Sequence, residues 1–335
     1  MATFVIAEIG PNHNGSLDLA VEMIRRLAQT GVDAVKFQLG TPDSIYSKDA
    51  FKADYQARNE TSETPQEMTA RHQLTAQDHI ALSDACRAVG LTYMCTAFDM
   101  KSLEFLDRSF DLPYFKIPSG EIHTLDMLEY IAARERPILL STGMATFEDI
   151  ESALDILEKN RRHDVTILHC VSNYPTPASD VHLNVIGELK RRFGRPVGFS
   201  DHTLGNACAI AAVALGATVI EKHVTMDRSL PGPDHKASAT IEEFADLVSA
   251  IRTVEVALGG MDKVFSDAEN GIRRAARKSI VATRDLGAGD VLTRDDICFK
   301  RPGIGISPLE RDALVGRRLK NAVAAGRLIH LRDLV

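Results

Sequence analysis

No C-x-x-C pair occurs among the five cysteines, Cys86, Cys95, Cys170, Cys208 and Cys298, and their number is odd. Neither a zinc knuckle nor a full disulfide framework is therefore indicated, and a reducing compartment is the simpler setting. No apolar run approaches the roughly 20 residues that a membrane-spanning helix needs. The chain passes from Met1-Ala-Thr directly into Phe4-Val-Ile-Ala-Glu8, without a basic leader or a cleavage site. The expectation is a cytoplasmic protein with no membrane partner. Positive charge is in deficit as well: 39 Lys and Arg face 46 Asp and Glu, for a net charge of -7. Nucleic-acid backbones are held by clustered basic groups, so this balance argues against a nucleic-acid partner. Short basic pairs such as Arg273-Arg274 and Arg277-Lys278 read as solvated helix faces.

What is present is ordinary globular material. The 335 residues are 44% hydrophobic and 25% charged, enough for one large core and a small companion. Eight short β-rich runs alternate with amphipathic stretches: Phe4–Ile9, Ala34–Gln38, Thr92–Phe98, Tyr114–Ile117, Ile138–Ser141, Val165–Val171, Val197–Asp201 and Thr218–Val224. Between them, Ser16–Gln29 spaces Leu19, Met23 and Leu27 at steps of four, and Thr75–Val89 opens on a Thr-x-x-Asp start signal. Eight strands, each followed by a helix or its equivalent, favour an α/β (β/α)8 TIM barrel over an open doubly wound sheet. The barrel is expected over residues 1–258, a connecting arm over 259–277, and a small β-rich domain over 278–335, punctuated by Gly287, Gly289, Gly303, Gly305 and Gly316. The polar segment Gly40–Gln73 is too long for an ordinary βα connection and reads as a lid or wall on the catalytic face.

In such barrels the reactive groups collect where the strands end. Alternate strand residues share a face, so Ser200 with His202 and Glu221 with His223 all point inward. A single strand-end histidine more often hydrogen-bonds locally. Two at matched positions, beside Glu8, Lys36, Lys116 and Glu121 at other strand ends, point instead to a barrel-mouth metal site. Cationic Lys36 and Lys116, with the hydroxyls of Thr96, Ser119, Ser141 and Ser200, are the donors that an anionic phosphate or carboxylate requires. Glu8 and Glu121 are carboxylates that, once buried, must be paired or carry shifted pKa values.

Read in order, Ala7-Glu-Ile-Gly-Pro-Asn-His-Asn-Gly15, Val35-Lys-Phe-Gln38, Lys116-Ile-Pro-Ser-Gly-Glu121, Leu140-Ser-Thr-Gly-Met144, Tyr174-Pro-Thr-Pro177, Phe199-Ser-Asp-His202 and Glu221-Lys-His223 resemble the sialic acid synthases. These are phosphoenolpyruvate-condensing barrels that make nonulosonic acids. Ser279-Ile-Val-Ala and Lys300-Arg-Pro-Gly-Ile-Gly-Ile-Ser-Pro308 resemble their C-terminal antifreeze-like SAF domain. The resemblance implies that His202 and His223 hold a divalent cation, manganese or magnesium, and that Lys36, Thr96, Lys116, Ser119, Ser141 and Ser200 bind phosphoenolpyruvate. It implies that Gln38, Ser172, Tyr174 and Asp234 meet an N-acetylated amino sugar, with Ser172 standing where some members carry Asn. Glu8 is implied in proton transfer and Glu121 in stabilising positive charge. A domain-swapped homodimer is implied too, in which Arg301 reaches the neighbouring acceptor pocket. The expected activity is that of an N-acetylneuraminate synthase acting on N-acetylmannosamine; the alternatives are an N,N'-diacetyllegionaminate synthase using 2,4-diacetamido-2,4,6-trideoxymannose, or a non-catalytic carbohydrate-binding barrel.

Overall fold

In the computed structural model, which describes residues 2–159 and 164–335, the chain divides into two compact units, 1–259 and 260–335. The first is a (β/α)8 barrel. Its strands are β1 (Phe4–Glu8), β2 (Ala34–Leu39), β3 (Thr92–Ala97), β4 (Phe115–Ile117), β5 (Ile138–Ser141), β6 (Val165–Cys170), β7 (Val197–Asp201) and β8 (Val219–Thr225). All pair in parallel in the order β3-β2-β1-β8-β7-β6-β5-β4, and β3 and β4 lie beside each other to complete the ring.

The two-residue repeat of each strand sorts its side chains between two environments. Val5, Ala7, Val35, Phe37, Ile138, Leu140, Ile167 and Phe199 face outward and join the apolar layer beneath the surrounding helices. Ile6, Ala34, Met94, Leu139, Leu168 and Val219 face inward and plug the barrel, with Phe4 and Tyr114 packed against them. Two residues further along the same inward rows the side chains turn polar: Glu8, Lys36, Thr96, Lys116, Ser141, Ser200 and Glu221 are all buried. Asp201 and Lys222, one position out of phase, make a separate pair of 2.7 Å between neighbouring strands. Lys222 also donates to the Thr203 carbonyl, 2.6 Å away.

Local signals set the helices. In α1 (Leu17–Leu27), Ser16 accepts from the Leu19 amide, and Ala20, Met23, Ile24 and Leu27 are buried. The segment read as a polar lid folds into three short helices, α2 (Pro42–Ile45), α3 (Asp54–Asn59) and α4 (Pro65–His72). Thr64 and Glu67 cap α4 reciprocally, as Thr75 and Asp78 cap α5 (Ala76–Ala88). In the second unit the stretch read as a connecting arm also carries a helix, Asp267–Ala276, started by a Ser266–Glu269 capping box. The Ser-x-x-Glu signature was available in the sequence. Strand Ser279–Ala282 pairs antiparallel with Ile297–Lys300, and Ile280, Leu286, Leu292, Leu314, Leu319 and Ile329 form the core of this unit.

Gly198 faces the barrel plug, where a Cβ would stand 2.6 Å from Leu168 Cδ2 and 2.7 Å from the Val219 carbonyl oxygen. A strand carbonyl cannot move aside without breaking its ladder. Gly198→Ala is therefore expected to destabilise the chain by about 1–3 kcal/mol, the usual penalty of overpacking. Denaturant unfolding would show a lower midpoint at unchanged slope; wild-type stability would mean that the plug has slack.

Candidate active site

The polar layer above the plug is a network of four charges. Lys36 forms an ion pair with Glu8, donates to Thr96 Oγ1 at 3.0 Å, and lies 3.7 Å from Glu221 Oε2. Lys116 donates to Ser141 Oγ at 2.8 Å and stands 3.5 Å from the other Glu221 oxygen. That oxygen also accepts from Ser200 Oγ, at 3.1 Å. Gln38 donates to Glu8 Oε1 at 2.8 Å and to the Gly10 carbonyl at 3.0 Å.

Burial and charge act against each other here. Burial opposes ionisation of Glu221, but Lys116 and Lys36 outweigh it and bring its pKa down to about 2. Burial likewise opposes the charge on Lys36, and the Glu221 and Glu8 carboxylates reverse the effect and raise its pKa. Lys116 shares only one close carboxylate and feels Lys36 besides, so burial prevails and its pKa falls. Glu8 is raised by burial, with Lys36 opposing.

The imidazoles of His202 and His223 stand at the mouth, ring centroids 5.7 Å apart. His202 Nδ1 lies 2.7 Å from the Val171 carbonyl. That bond places the proton on Nδ1 and leaves Nε2 a free lone pair, the usual way in which a metal-binding histidine is oriented. His223 Nδ1 is buried without a hydrogen-bond partner, as is Asp234 Oδ1. Burial, reinforced by His202 and Lys36, holds the His223 pKa well below its ordinary value, which keeps the ring neutral. At His202 burial is outweighed by Cys170, the Val171 carbonyl and Glu221, which raise its pKa above the ordinary value; with both rings in the neutral form, the pair suits a divalent cation. Among the described residues no group of three His, Cys, Asp or Glu side chains is arranged to hold a metal ion, and the two imidazoles alone would offer such an ion only two ligands.

Two adjoining cavities meet at this mouth. The inner one, about 290 Å³, is lined by the floor residues with Ser119, Cys170, Ser172, Tyr174, His202 and His223. The outer one, about 240 Å³, shares Gln38, Tyr55, Phe98, Tyr174 and His223 with it, and extends past Asp234 to Ile45, Tyr46, Met68, Thr69 and His72 of the β2 insertion. Tyr174 stacks on Tyr55 at 4.9 Å and lies 4.1 Å from the His202 ring, forming the partition between the two. Burial raises the Asp234 pKa to about 7.

Of the residues singled out in the sequence, Glu8, Lys36, Gln38, Thr96, Lys116, Ser119, Ser141, Ser172, Tyr174, Ser200, His202, His223 and Asp234 line this continuous cleft. Glu121 does not. It lies on the 3-10 turn Ser119–Glu121, where its carboxylate accepts from Thr124 Oγ1 and lines neither cavity. Arg301 belongs to the second unit. Three further residues line the cleft: Glu221, Cys170 and Tyr55. Glu221 was legible, two residues before His223 on the same strand face. Cys170, whose Sγ lies 3.8 Å from both Ser119 Oγ and His202 Nδ1, follows Leu168 by the same step of two. Tyr55 lies in an insertion without periodicity, and no sequence signal marks it.

Residues 23–263 match the NeuB family and residues 277–335 the SAF domain. The chain is 43% identical to an N,N'-diacetyllegionaminic acid synthase of Legionella pneumophila, over 97% of this chain and 93% of that protein. It is 34% identical to the human N-acetylneuraminate-9-phosphate synthase, over 94% and 88%. Among solved structures, the N-acetylneuraminic acid synthetase of Leptospira borgpetersenii in complex with citrate superposes with a TM-score of 0.72 at 30% identity, covering 81% of this chain and 90% of that one. With a whole-length relative of that identity, a matching family model and a barrel of the same form, the chain belongs to the NeuB family of phosphoenolpyruvate-condensing nonulosonic acid synthases, with an SAF domain over residues 277–335.

Proposed function

We propose that this chain condenses phosphoenolpyruvate with the open-chain form of 2,4-diacetamido-2,4,6-trideoxymannose to give N,N'-diacetyllegionaminate and phosphate. The single observation that carries the reaction class is the floor, in which two buried lysines share the Glu221 carboxylate beneath a pair of imidazoles. Two features favour this acceptor over N-acetylmannosamine. Identity is higher to the legionaminic acid synthase than to the neuraminate-9-phosphate synthase, and Ile45, Tyr46, Met68 and Phe98 give the outer cavity apolar surface suited to a 6-methyl and two acetyl groups.

In this reading Lys36 and Lys116, with Thr96, Ser119, Ser141 and Ser200, bind the phosphate and carboxylate of phosphoenolpyruvate by charge-assisted hydrogen bonds. Gln38, Ser172, Tyr174 and Asp234 orient the sugar. His202 and His223 would hold a manganese or magnesium ion, whose chemistry there would be Lewis-acid polarisation of the sugar aldehyde. C3 of phosphoenolpyruvate adds to that aldehyde carbon and leaves positive charge at C2. Glu221, kept ionised by the two lysines, faces this charge, the task that the motif alone had suggested for Glu121. Water then adds to C2, Glu8 receives its proton, and C–O cleavage of the tetrahedral adduct releases phosphate.

We also propose that the active form is a homodimer whose second units are exchanged, bringing Arg301 to the partner's sugar. Helix Asp267–Ala276 buries none of its residues, and Phe265, Ile272 and Met261 are exposed on the same stretch. A second copy of the chain would cover them.

Phosphate release with phosphoenolpyruvate should be faster with the diacetamido sugar than with N-acetylmannosamine, should stop on chelation, and should return with manganese. Preference for N-acetylmannosamine would reassign the acceptor, and undiminished turnover in metal-free protein would remove the cation. Lys116→Met deletes one charged donor, a loss of about 1.5–3 kcal/mol, so KM for phosphoenolpyruvate should rise on the order of 10- to 150-fold while KM for the sugar holds. An unchanged phosphoenolpyruvate KM places the anion elsewhere. For the exchanged dimer, co-expressed Arg301→Ala and His202→Ala chains concentrate both defects in one site and leave the other intact. Activity recovered in purified heterodimers supports exchange, and its absence there refutes it.

A further inference from the structure

His72 is the one imidazole among the described residues whose two ring nitrogens are both buried without a hydrogen-bond partner. It is 8% exposed and closes α4. Elsewhere among the described residues at most one ring nitrogen of a buried histidine is orphaned, as at His79 Nε2 and His223 Nδ1. His79 Nδ1 lies 2.7 Å from the Tyr93 hydroxyl, His235 is held by Thr225 and Asn14, and His13 Nδ1 accepts from the Gly15 amide. An imidazole buried with neither nitrogen satisfied is unfavourable by about 1–3 kcal/mol per group, so such a side chain calls for a ligand.

The surroundings hold His72 in place without touching its nitrogens. Glu60, itself buried, accepts from Arg71 Nη1 at 2.8 Å and from the Ser62 amide at 2.8 Å, and Lys52 donates to its carbonyl at 3.0 Å. Gly15, at φ +72°, lies so close to the Arg71 carbonyl that a Cβ would stand 2.6 Å from it. The C-terminal end of α4 is thus fixed from both sides. His72 lines the outer cavity with Met68, Thr69 and Tyr46 of the insertion and does not line the inner one, whereas Tyr174 and His223 line both.

Chemistry decides which end of the acceptor lies there. The reacting aldehyde carbon must meet phosphoenolpyruvate at the floor, so the remote part of the sugar extends toward α4. Burial, aided by Arg71 and opposed by Glu60, keeps the His72 pKa below its ordinary value, and a neutral imidazole offers one donor and one acceptor. An acylamino group presents the complementary pair, with an apolar methyl that Met68 and Ile45 can cover. Resting on the reaction proposed above, we infer that His72 is a specificity-determining residue that hydrogen-bonds the acylamino substituent of the acceptor remote from its aldehyde, the 4-acetamido group of the diacetamido sugar. A hydrophobic pocket alone discriminates weakly between analogues, whereas a buried polar group left unpaired by the wrong sugar discriminates strongly.

The test compares wild type, His72→Phe and His72→Gln in phosphate release with the 2,4-diacetamido sugar and with N-acetylmannosamine. His72→Phe keeps a ring and removes both polar atoms. It should raise KM for the diacetamido sugar by about tenfold or more, the range for one lost buried hydrogen bond, with its kcat and the phosphoenolpyruvate KM within about twofold. N-acetylmannosamine, which lacks the second acetamido group, should respond by less than about threefold. His72→Gln, which retains a donor and an acceptor, should recover most of the affinity. An unchanged diacetamido KM in His72→Phe, or equal losses for both sugars, overturns the assignment. Should that variant fail to fold, ¹⁵N-histidine-labelled wild type decides: the His72 ring signals, identified by their loss in His72→Gln, move on adding the diacetamido sugar if the contact exists and stay fixed if it does not. Wild-type protein that turns over neither sugar refutes the underlying reaction itself, a result distinct from failure at His72.

Discussion

Charge buried in a barrel interior must be compensated on the spot, and in this chain that requirement binds four strands together. Glu221 on β8 is shared by Lys36 on β2 and Lys116 on β4, and Glu8 on β1 completes a set of two positive and two negative groups. Taken singly, each ion would be expensive to bury; together, with hydroxyls from Thr96, Ser141 and Ser200, they satisfy one another. The arrangement stops short of full saturation. Glu221 Oε2 has no hydrogen-bond partner and stands 3.7 Å from Lys36 Nζ, and Lys116 is held less firmly in its charged form than Lys36. A network balanced in this way can exchange a protein carboxylate for a substrate anion at its lysines without creating an isolated charge. The apolar plug beneath it keeps water from entering from below, which preserves the strength of every interaction above.

The second constraint is the β2 insertion, which converts an open barrel mouth into a two-compartment cleft. Its helices are short and would not persist alone. They are held by Glu60 and by the close approach of the β1 loop at Gly15. Tyr55 comes from this insertion and Tyr174 from the loop after β6, and their stacking stands where the charged floor meets the outer cavity. The charged network thereby lies on the strands, and much of the outer cavity's wall on the insertion.

That division explains what was legible in the sequence. All eight strands could be drawn to within a residue or two, because every one is buried on both faces and bounded by turn signals, and the period of two named the inward residues before any coordinates. Glu221 shows the limit of a list organised by motif: it shares a face with His223, yet its value comes from lysines on β2 and β4 that only barrel closure brings near. Glu121 shows the converse: its motif position is prominent, while on the turn after β4 its carboxylate accepts from Thr124 and lines neither cavity. Tyr55 and His72 were invisible for a third reason. They sit on helices whose order comes from tertiary contacts with Gly15, Glu60 and Lys52, and neither propensity nor periodicity carries that information. The helix Asp267–Ala276, by contrast, is signalled by Ser266 and Glu269 inside the stretch that reads as a connecting arm, and it buries none of its residues.

The central claim is spatial: the anion-binding lysines and the imidazole pair serve one bound substrate. Paramagnetic relaxation of the ³¹P signal of phosphoenolpyruvate by manganese tests it most directly, with no turnover and no acceptor required. In protein loaded with manganese the phosphorus should relax much faster than in protein loaded with magnesium, and the enhancement should vanish both in His202→Ala and when inorganic phosphate displaces the substrate. Saturating binding of phosphoenolpyruvate with a relaxation rate indifferent to protein-bound manganese would contradict a shared site.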